Sequence, residues 1–343
     1  MRVTLKSIAK EAGVSITCTS NILNNKTREY TDATINKVKE IAKRQNYIPN
    51  TIARSMKTNS TMSLGLILPD ITNPYYPELA KAIEATAYEY GYNIIYINTN
   101  YDVEKEKQAF KLLYERMVTG IVYVPSFVST NKEVEILSSS IPIVMVDRSY
   151  EMKGISAYVS SNDYKGAYEA TRYLLDNGKR KILFISGEKR SDQTSERILG
   201  YAAALKENNI EYNEKFIIEG DYSAELGYEA TNKFIQEESF DAIFAASDII
   251  AIGALKALNE NNIRVPEDVA LMGYDNIYFS QYCNPPLTTV EQPKYKMGVQ
   301  AVKMLIDIIN KKSISNKNVI IDPQLVVRGS VVKEPGGKVW IKY

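Results

Sequence analysis

The sequence predicts a small all-α unit at the N-terminus followed by a two-lobed α/β body, and three observations carry that prediction. Charge changes sign along the chain: residues 1–60 hold eleven Lys and Arg against four Asp and Glu, a net +7, and the remainder of the 343 residues brings the total down to +1. The basic segment shows short helical apolar patterns interrupted by a glycine. From residue 62 onward, apolar runs of strand length alternate with amphipathic helices, the pattern of parallel sheets with crossover helices.

In the basic segment Leu5, Ile8, Ala9 and Ala12 recur at helical spacing, Gly13 stops the pattern, and Ile22 and Leu23 resume it. Gly13 suits the left-handed conformation of a tight inter-helix turn, Val14 plugs the junction, and Ser15 is an N-cap residue for a helix over 16–23. A third helix is capped by Thr31 and places Ile35, Val38, Ile41 and Ala42 on one face. The outward positions of the second helix, Ile16, Thr17, Ser20 and Asn21, are short and mostly polar, as entry into a DNA major groove requires. Asn50 can cap a further helix from 51 to about 57. Helices below roughly 12 residues are marginal alone, so this one is expected to order only when packed on a twin and on DNA. A basic module on an acidic body is the charge arrangement of a polyanion binder.

In the body, strands are expected at 63–68, 94–98, 120–124 and 141–146, with helices at 76–90 and 103–117. A second set alternates helices at 164–177, 197–208, 225–236 and 249–259 with strands at 181–186, 216–219, 242–246 and 270–274. Two similar lobes are implied, and ligands of such sheets bind beyond the C-terminal ends of the strands. The residues found there are Asn73, Tyr75, Tyr76, Asp147, Arg148, Arg197, Ser247, Asp275 and Gln292. Carboxylates, amides and hydroxyls take paired hydrogen bonds from sugar hydroxyls, while tyrosine rings cover the C–H faces. The charges of Asp147, Asp275, Arg148 and Arg197 cancel, which favours a neutral polyol or monosaccharide over an anion. Structural roles compete: Asp147 and Asp275 can cap helices or loops, and Arg197 can pair with Glu196 or Asp192.

Composition excludes several chemistries. Histidine is absent, and the two cysteines, Cys18 and Cys283, lie far apart. Ser-His-Asp and Cys-His catalysis, His-ligated zinc and CxxC motifs are thereby removed, and neither a metal site nor a cofactor is expected. Charge interrupts the N-terminus where a secretory signal needs an apolar core, and runs such as 63–69 and 141–146 fall well short of the roughly 18 residues that span a bilayer. A cytoplasmic protein with no membrane segment is expected. The segments 120–125 and 155–159 and the helix after Asp70 offer apolar surface for self-association.

The stretches VTLKSIAKEAGVS, NILNNK and NYIPNTIARSMK resemble the headpiece of the lactose/galactose repressor (LacI/GalR) family. The likeness continues through GLILPDITNPYYPELAKAIE, VDR, SERILGYAAAL, FAASDIIAIGALKAL, VPEDVALMGYDN, PPLTTVEQP and LVVRGS, covering nearly the whole chain. It implies a helix-turn-helix headpiece at 1–48, a hinge helix and linker at 49–60, and a two-lobed periplasmic-binding-protein-like domain at 61–343. The N-lobe would take about 61–161 and 292–322, the C-lobe about 162–291 and 323–343, each with a parallel sheet. By the same resemblance Ser15, Ile16, Thr17, Ser20 and Asn21 contact bases, and Thr4, Asn24, Thr31 and Thr34 lie nearer the phosphates. Asn50, Ala53 and Met56 then belong to the hinge, with Met56 wedging the minor groove at the dyad of a near-palindromic operator bound by a homodimer. Two departures stand in the second helix: Thr19 replaces a core valine and Asn21 a base-reading arginine, so the half-site is expected to shift toward A·T pairs.

The cleft set resembles that of ribose binders, and within the family the chain is most similar to ribose-operon repressors. Ser247 departs from it, because an asparagine is usual there. The implied function is a DNA-binding repressor that a ribose-like sugar releases from its operator, and not an enzyme. Two rivals are a sugar-binding protein without regulatory DNA contact and a glycoside-processing enzyme using Asp147 and Asp275. Against the enzyme, the neighbouring arginines are expected to keep both aspartates ionised, leaving no general acid.

Overall fold

The computed structural model describes residues 3–47, 61–127, 132–148, 150–188 and 191–332. The chain divides into two compact units, Met1–Thr61 and Met62–Tyr343. Asn50, Ala53 and Met56, and the terminal PGGKVWIKY, lie outside the described residues.

The first unit contains α1 (Leu5–Ala12), α2 (Ile16–Leu23) and α3 (Asp32–Arg44). Gly13 ends α1 at φ 72°, the left-handed turn that a Cβ would strain. Ile8, Ala12, Ile22, Val38, Ile41 and Ala42 form one core, with Val14 packed against it. Thr19 sits there fully buried. Its hydroxyl donates to the Ser15 carbonyl at 3.1 Å, and that oxygen also accepts the Thr19 amide. Because the carbonyl keeps its amide partner, Thr19→Val is expected to stabilise the headpiece by about 1 kcal/mol, read by thermal unfolding. A destabilised variant would mean that the hydroxyl is needed.

The second unit holds two six-stranded sheets, with strands numbered in chain order. The first contains β1 (Ser63–Leu68), β2 (Asn93–Asn98), β3 (Gly120–Tyr123), β4 (Ile143–Val146), β5 (Ala157–Ser161) and β11 (Asn318–Ile321). Its order is β11-β5-β4-β3-β1-β2, parallel throughout. The second contains β6 (Ile182–Ser186), β7 (Ile217–Glu219), β8 (Ala242–Ala245), β9 (Ala270–Asp275), β10 (Thr288–Glu291) and β12 (Gln324–Val326). Its order, β12-β10-β9-β8-β6-β7, repeats the same winding, but β12 runs antiparallel to β10, so this sheet is mixed.

The helices of this unit are α4 (Tyr75–Glu89), α5 (Val103–Glu115), α6 (Lys132–Leu137), α7 (Asp163–Asp176), α8 (Asp192–Glu207), α9 (Ala224–Glu237), α10 (Asp248–Glu260) and α11 (Lys294–Ile309). The chain passes between the lobes after β5, after β10 and between β11 and β12. Asn162 ties two of these crossings: its amide donates to the Ile321 carbonyl at 3.1 Å and its side chain to Asp322 at 3.1 Å.

Apolar faces of both sheets are covered by helices, as parallel sheets require. Leu64, Leu66, Val122, Val144, Leu79 and Leu305 are among the residues packed on one face of the N-lobe sheet, and Ile67, Ile121, Ile143, Phe110 and Leu113 lie on the other. Of the three segments expected to offer apolar surface, the two strands are internal to the sheet, whereas the helix after Asp70, α4, carries exposed Tyr88 at its end. Gly120–Tyr123 is a wholly buried central strand, and Ala157–Ser161 lies between two neighbours. Large exposed side chains stand at Tyr88 and Tyr90, at the end of α4, and at Tyr278, Phe279 and Tyr282. Among the described residues no helix is long and apolar enough to cross a membrane.

Candidate functional site: a DNA-reading helix and an interlobe cleft

Each headpiece helix opens on a hydroxyl cap. Thr4 and Ser7 form a reciprocal capping box on α1, Ser15 accepts from the Cys18 amide, and Thr31 accepts from the Thr34 amide with the two hydroxyls 3.0 Å apart. Amide groups left over in these first turns attract phosphate oxygens. On α2, Ile16 is 50% exposed and Thr17 is exposed. Ser20 and Asn21 are half-buried. Asn24 turns its amide back to the Ser20 carbonyl at 2.7 Å, and Asn21 donates to the Tyr30 hydroxyl at 3.0 Å. That bond uses one of two amide hydrogens, so Asn21 keeps a donor and an acceptor, the pair that adenine N7 and N6 require. Lys6, Lys10, Lys26, Arg28 and Lys37 are exposed.

In the body, Asn73, Tyr75, Tyr76, Asp147, Arg197, Asp275 and Gln292 line one cavity together with Gln193 and Tyr222. They reach it from the ends of strands in both sheets, the first turn of α4 and the first two turns of α8. Two carboxylates organise it. Asp147 follows β4 with φ 75° and Asp275 ends β9 with φ 106°, left-handed values that cost non-glycine residues energy and cluster at binding sites. Tyr75 donates its hydroxyl to Asp147, and Gln193 donates to the Asp147 side chain at 3.0 Å and to its carbonyl at 2.8 Å. Gln292 donates to Asp275 at 2.7 Å, and its own amide oxygen lies 3.3 Å from the Tyr75 hydroxyl. The side chains leave only about 20 Å³ between them, room for about one water.

Two sequence candidates face elsewhere. Arg148 is buried and spends its guanidinium on the Ser191 hydroxyl at 2.9 Å and the carbonyls of Pro125 and Ser126 at 3.3 and 3.4 Å. Ser247 caps α10 through the Ile250 amide. Arg197 does not pair with Glu196 or Asp192: its Nε and Nη2 both lie 2.8 Å from Asp163, Nη1 reaches the Ala246 carbonyl, and the guanidinium stacks 3.8 Å over the Tyr274 ring.

Three contributors were missed in the sequence. Gln193 sits four residues before Arg197, on the same face of α8. The polar opening Asp192-Gln193-Thr194-Ser195 carries no apolar period, so the sequence predicts a helix only from Arg197, whereas α8 starts at Asp192. Tyr222 follows β7, and the signal for it is its place just beyond a strand end. Asp163 is a buried carboxylate at the start of α7, and its polar sequence neighbours, Ser161, Asn162 and Lys165, give no sign of that burial.

Burial dominates the electrostatics. It pushes the Asp275 carboxyl up to about 7 against the opposing pull of Arg197, Asp163 up to about 6 and Asp248 up to about 8. Asp147 is raised by the same cause, with Arg148 opposing. The expectation that arginines hold both cleft aspartates fully ionised is therefore corrected for Asp275, where desolvation outweighs them.

The chain has no histidine, so these carboxyls govern the range from pH 5 to 8. Folded, they retain protons that the unfolded chain has already lost above about pH 4, and stability therefore falls as pH rises toward 8. Melting temperature is expected to drop by roughly 5 °C or more between pH 5 and 8. A flat or rising profile would contradict these carboxyl assignments.

Residues 61–328 match the family model of periplasmic binding proteins and the sugar binding domain of the LacI family, and residues 4–50 match the bacterial regulatory proteins of the lacI family. The HTH-type transcriptional repressor PurR of Histophilus somni is 36% identical over 331 residues, 96% of this chain and 98% of that protein. The HTH-type transcriptional regulator RegA of Clostridium acetobutylicum is 38% identical over 333 residues, 96% of this chain and 99% of that protein. Among solved structures, a LacI family transcriptional regulator from Enterococcus faecium with bound ribose has a TM-score of 0.71 at 27% identity, covering 78% of this chain and 98% of that one. The chain belongs to the LacI family of bacterial transcriptional regulators, DNA-binding proteins and not enzymes.

Proposed function

We propose that the chain acts as a homodimeric repressor released from its operator when a small neutral sugar of the ribose type occupies the interlobe cleft. The observation that carries the neutral ligand is the state of the two arginines. Arg197 is neutralised by Asp163, and Arg148 lies beside the carboxylates of Asp147 and Asp192 with its N–H groups turned to three neutral protein acceptors, so neither stands as an uncompensated cation for a phosphate or carboxylate. Around the cavity, each carboxylate is paired with a side-chain amide, Asp147 with Gln193 and Asp275 with Gln292. An acceptor beside a donor suits vicinal hydroxyls, and the tyrosine rings supply the apolar cover. The Enterococcus regulator's bound ribose lends the pentose reading its support.

In the headpiece, Ile16 offers an apolar contact to a thymine methyl and Asn21 its amide to adenine. Asn73, Tyr75, Tyr76, Asp147, Arg197, Asp275 and Gln292 are assigned to the ligand. Arg148 and Ser247 act behind them, and Met56 is kept as the hinge wedge. One headpiece reads only a half-site, so two must be held at fixed spacing.

Calorimetric titration with D-ribose, other pentoses, hexoses, sugar phosphates and free nucleobases tests the cleft. A pentose is expected to bind and raise the melting temperature. Binding confined to the phosphates or nucleobases would overturn the neutral-sugar reading.

A further inference from the structure

Lys294, buried, and Glu78, whose side chain is 32% exposed, form an ion pair beside the cleft, and neither is among the residues lining the cavity around Asp147. Lys294 opens α11, is only 8% exposed in its side chain and lies 3.1 Å from Glu78. Its ammonium donates to the carbonyl of Asp275 and, at 3.1 Å, to that of Asn276. Those two residues have consecutive positive φ values, 106° and 48°. Glu78, in the first turn of α4, uses its other oxygen to accept the Tyr278 amide at 2.9 Å. Both α4 and α11 pack on the N-lobe sheet, whereas residues 275–278 continue from the C-lobe strand β9.

We infer that Glu78 and Lys294 are positioning residues: together they hold the strained Asp275–Asn276 turn, aim the Asp275 carboxylate at the ligand, and clasp one lobe to the other. The inference rests on the reading of the cleft as the ligand site. Its physical logic is mutual dependence. Lysine supplies the cation that two carbonyls aligned by left-handed backbone would otherwise lack, and a buried ammonium needs Glu78 as its counter-charge. Loss of either partner leaves the other without its function, so the two act as a unit. A sugar drawing on Asp275 would then pull on the same turn that fastens the lobes, which gives occupancy a route to lobe closure.

The full-length protein and its Lys294→Met, Glu78→Gln and double variants would be titrated with D-ribose, and hydrogen exchange followed at the Tyr278 amide. Each single variant is expected to weaken D-ribose at least about tenfold, with the double no weaker than the worse single and the ranking among pentoses unchanged. Lys294→Met is expected to speed exchange at Tyr278 about tenfold, although that amide is bonded to Glu78 and not to Lys294. Wild-type affinity in the single variants, additive losses, or an unchanged Tyr278 amide would each overturn the inference. If the wild-type protein binds none of the sugars, the ribose reading fails and the Tyr278 amide alone decides the clasp.

Discussion

Asp163→Asn is expected to cost the body about 3–5 kcal/mol of stability, the largest effect of any single side-chain change considered, because it strands the Arg197 guanidinium in a desolvated site. Arginine cannot shed its proton, so the charge stays and its Nε and Nη2 lose their anionic partner. The reverse substitution, Arg197→Met, is expected to be milder. Asp163, already raised to about 6, can protonate and remain a neutral donor near Tyr274. Chemical denaturation of both variants at pH 7 checks the asymmetry. Equal losses would mean that the pair is stabilised by packing rather than by charge, and a loss below about 1 kcal/mol for Asp163→Asn would mean that water reaches the arginine.

Asp275→Asn is expected to weaken sugar binding by about 100-fold or more while leaving sugar-free operator binding near wild type. Gln292 holds the Asp275 carboxyl in place, and above about pH 7, where that group is mostly ionised, a hydrogen bond to it contributes about 1.5–3 kcal/mol. An amide of equal size can still accept from Gln292, so the cleft stays formed. Such a protein would remain bound to its operator in sugar, the phenotype of a repressor that cannot be induced. Binding of D-ribose with unchanged affinity would place the ligand elsewhere.

Much of this architecture is legible in the sequence, because backbone geometry and apolar periodicity write themselves locally. Gly13 between two helical patterns, Ser15 as a cap and the alternation of runs such as 63–68 and 242–246 with amphipathic helices each follow from one short stretch. The later strands were not. Residues 318–321 and 324–326 are short, partly exposed edges whose place depends on the strands they join, and antiparallel β12 takes its direction from the chain's last crossing between the lobes.

In the cleft, residues after strand ends were found because topology brings them together. Roles that depend on a distant partner escaped. Nothing near Arg197 in sequence names Asp163, 34 residues away, and nothing near Lys294 names Glu78 or the carbonyls of 275 and 276. The ionisation of Asp275 escaped for the same reason: local sequence shows the neighbouring charge, whereas the depth of burial that outweighs it belongs to the folded body.

The most direct test of the account is operator affinity measured by fluorescence anisotropy at several salt concentrations, on fragments upstream of the gene and its neighbours, with and without D-ribose. The account predicts tight binding to one near-palindromic fragment, losing about a thousandfold or more between roughly 50 and 200 mM salt, and weakened further by D-ribose at constant salt. Binding that no sugar changes, or that D-ribose tightens, would contradict it.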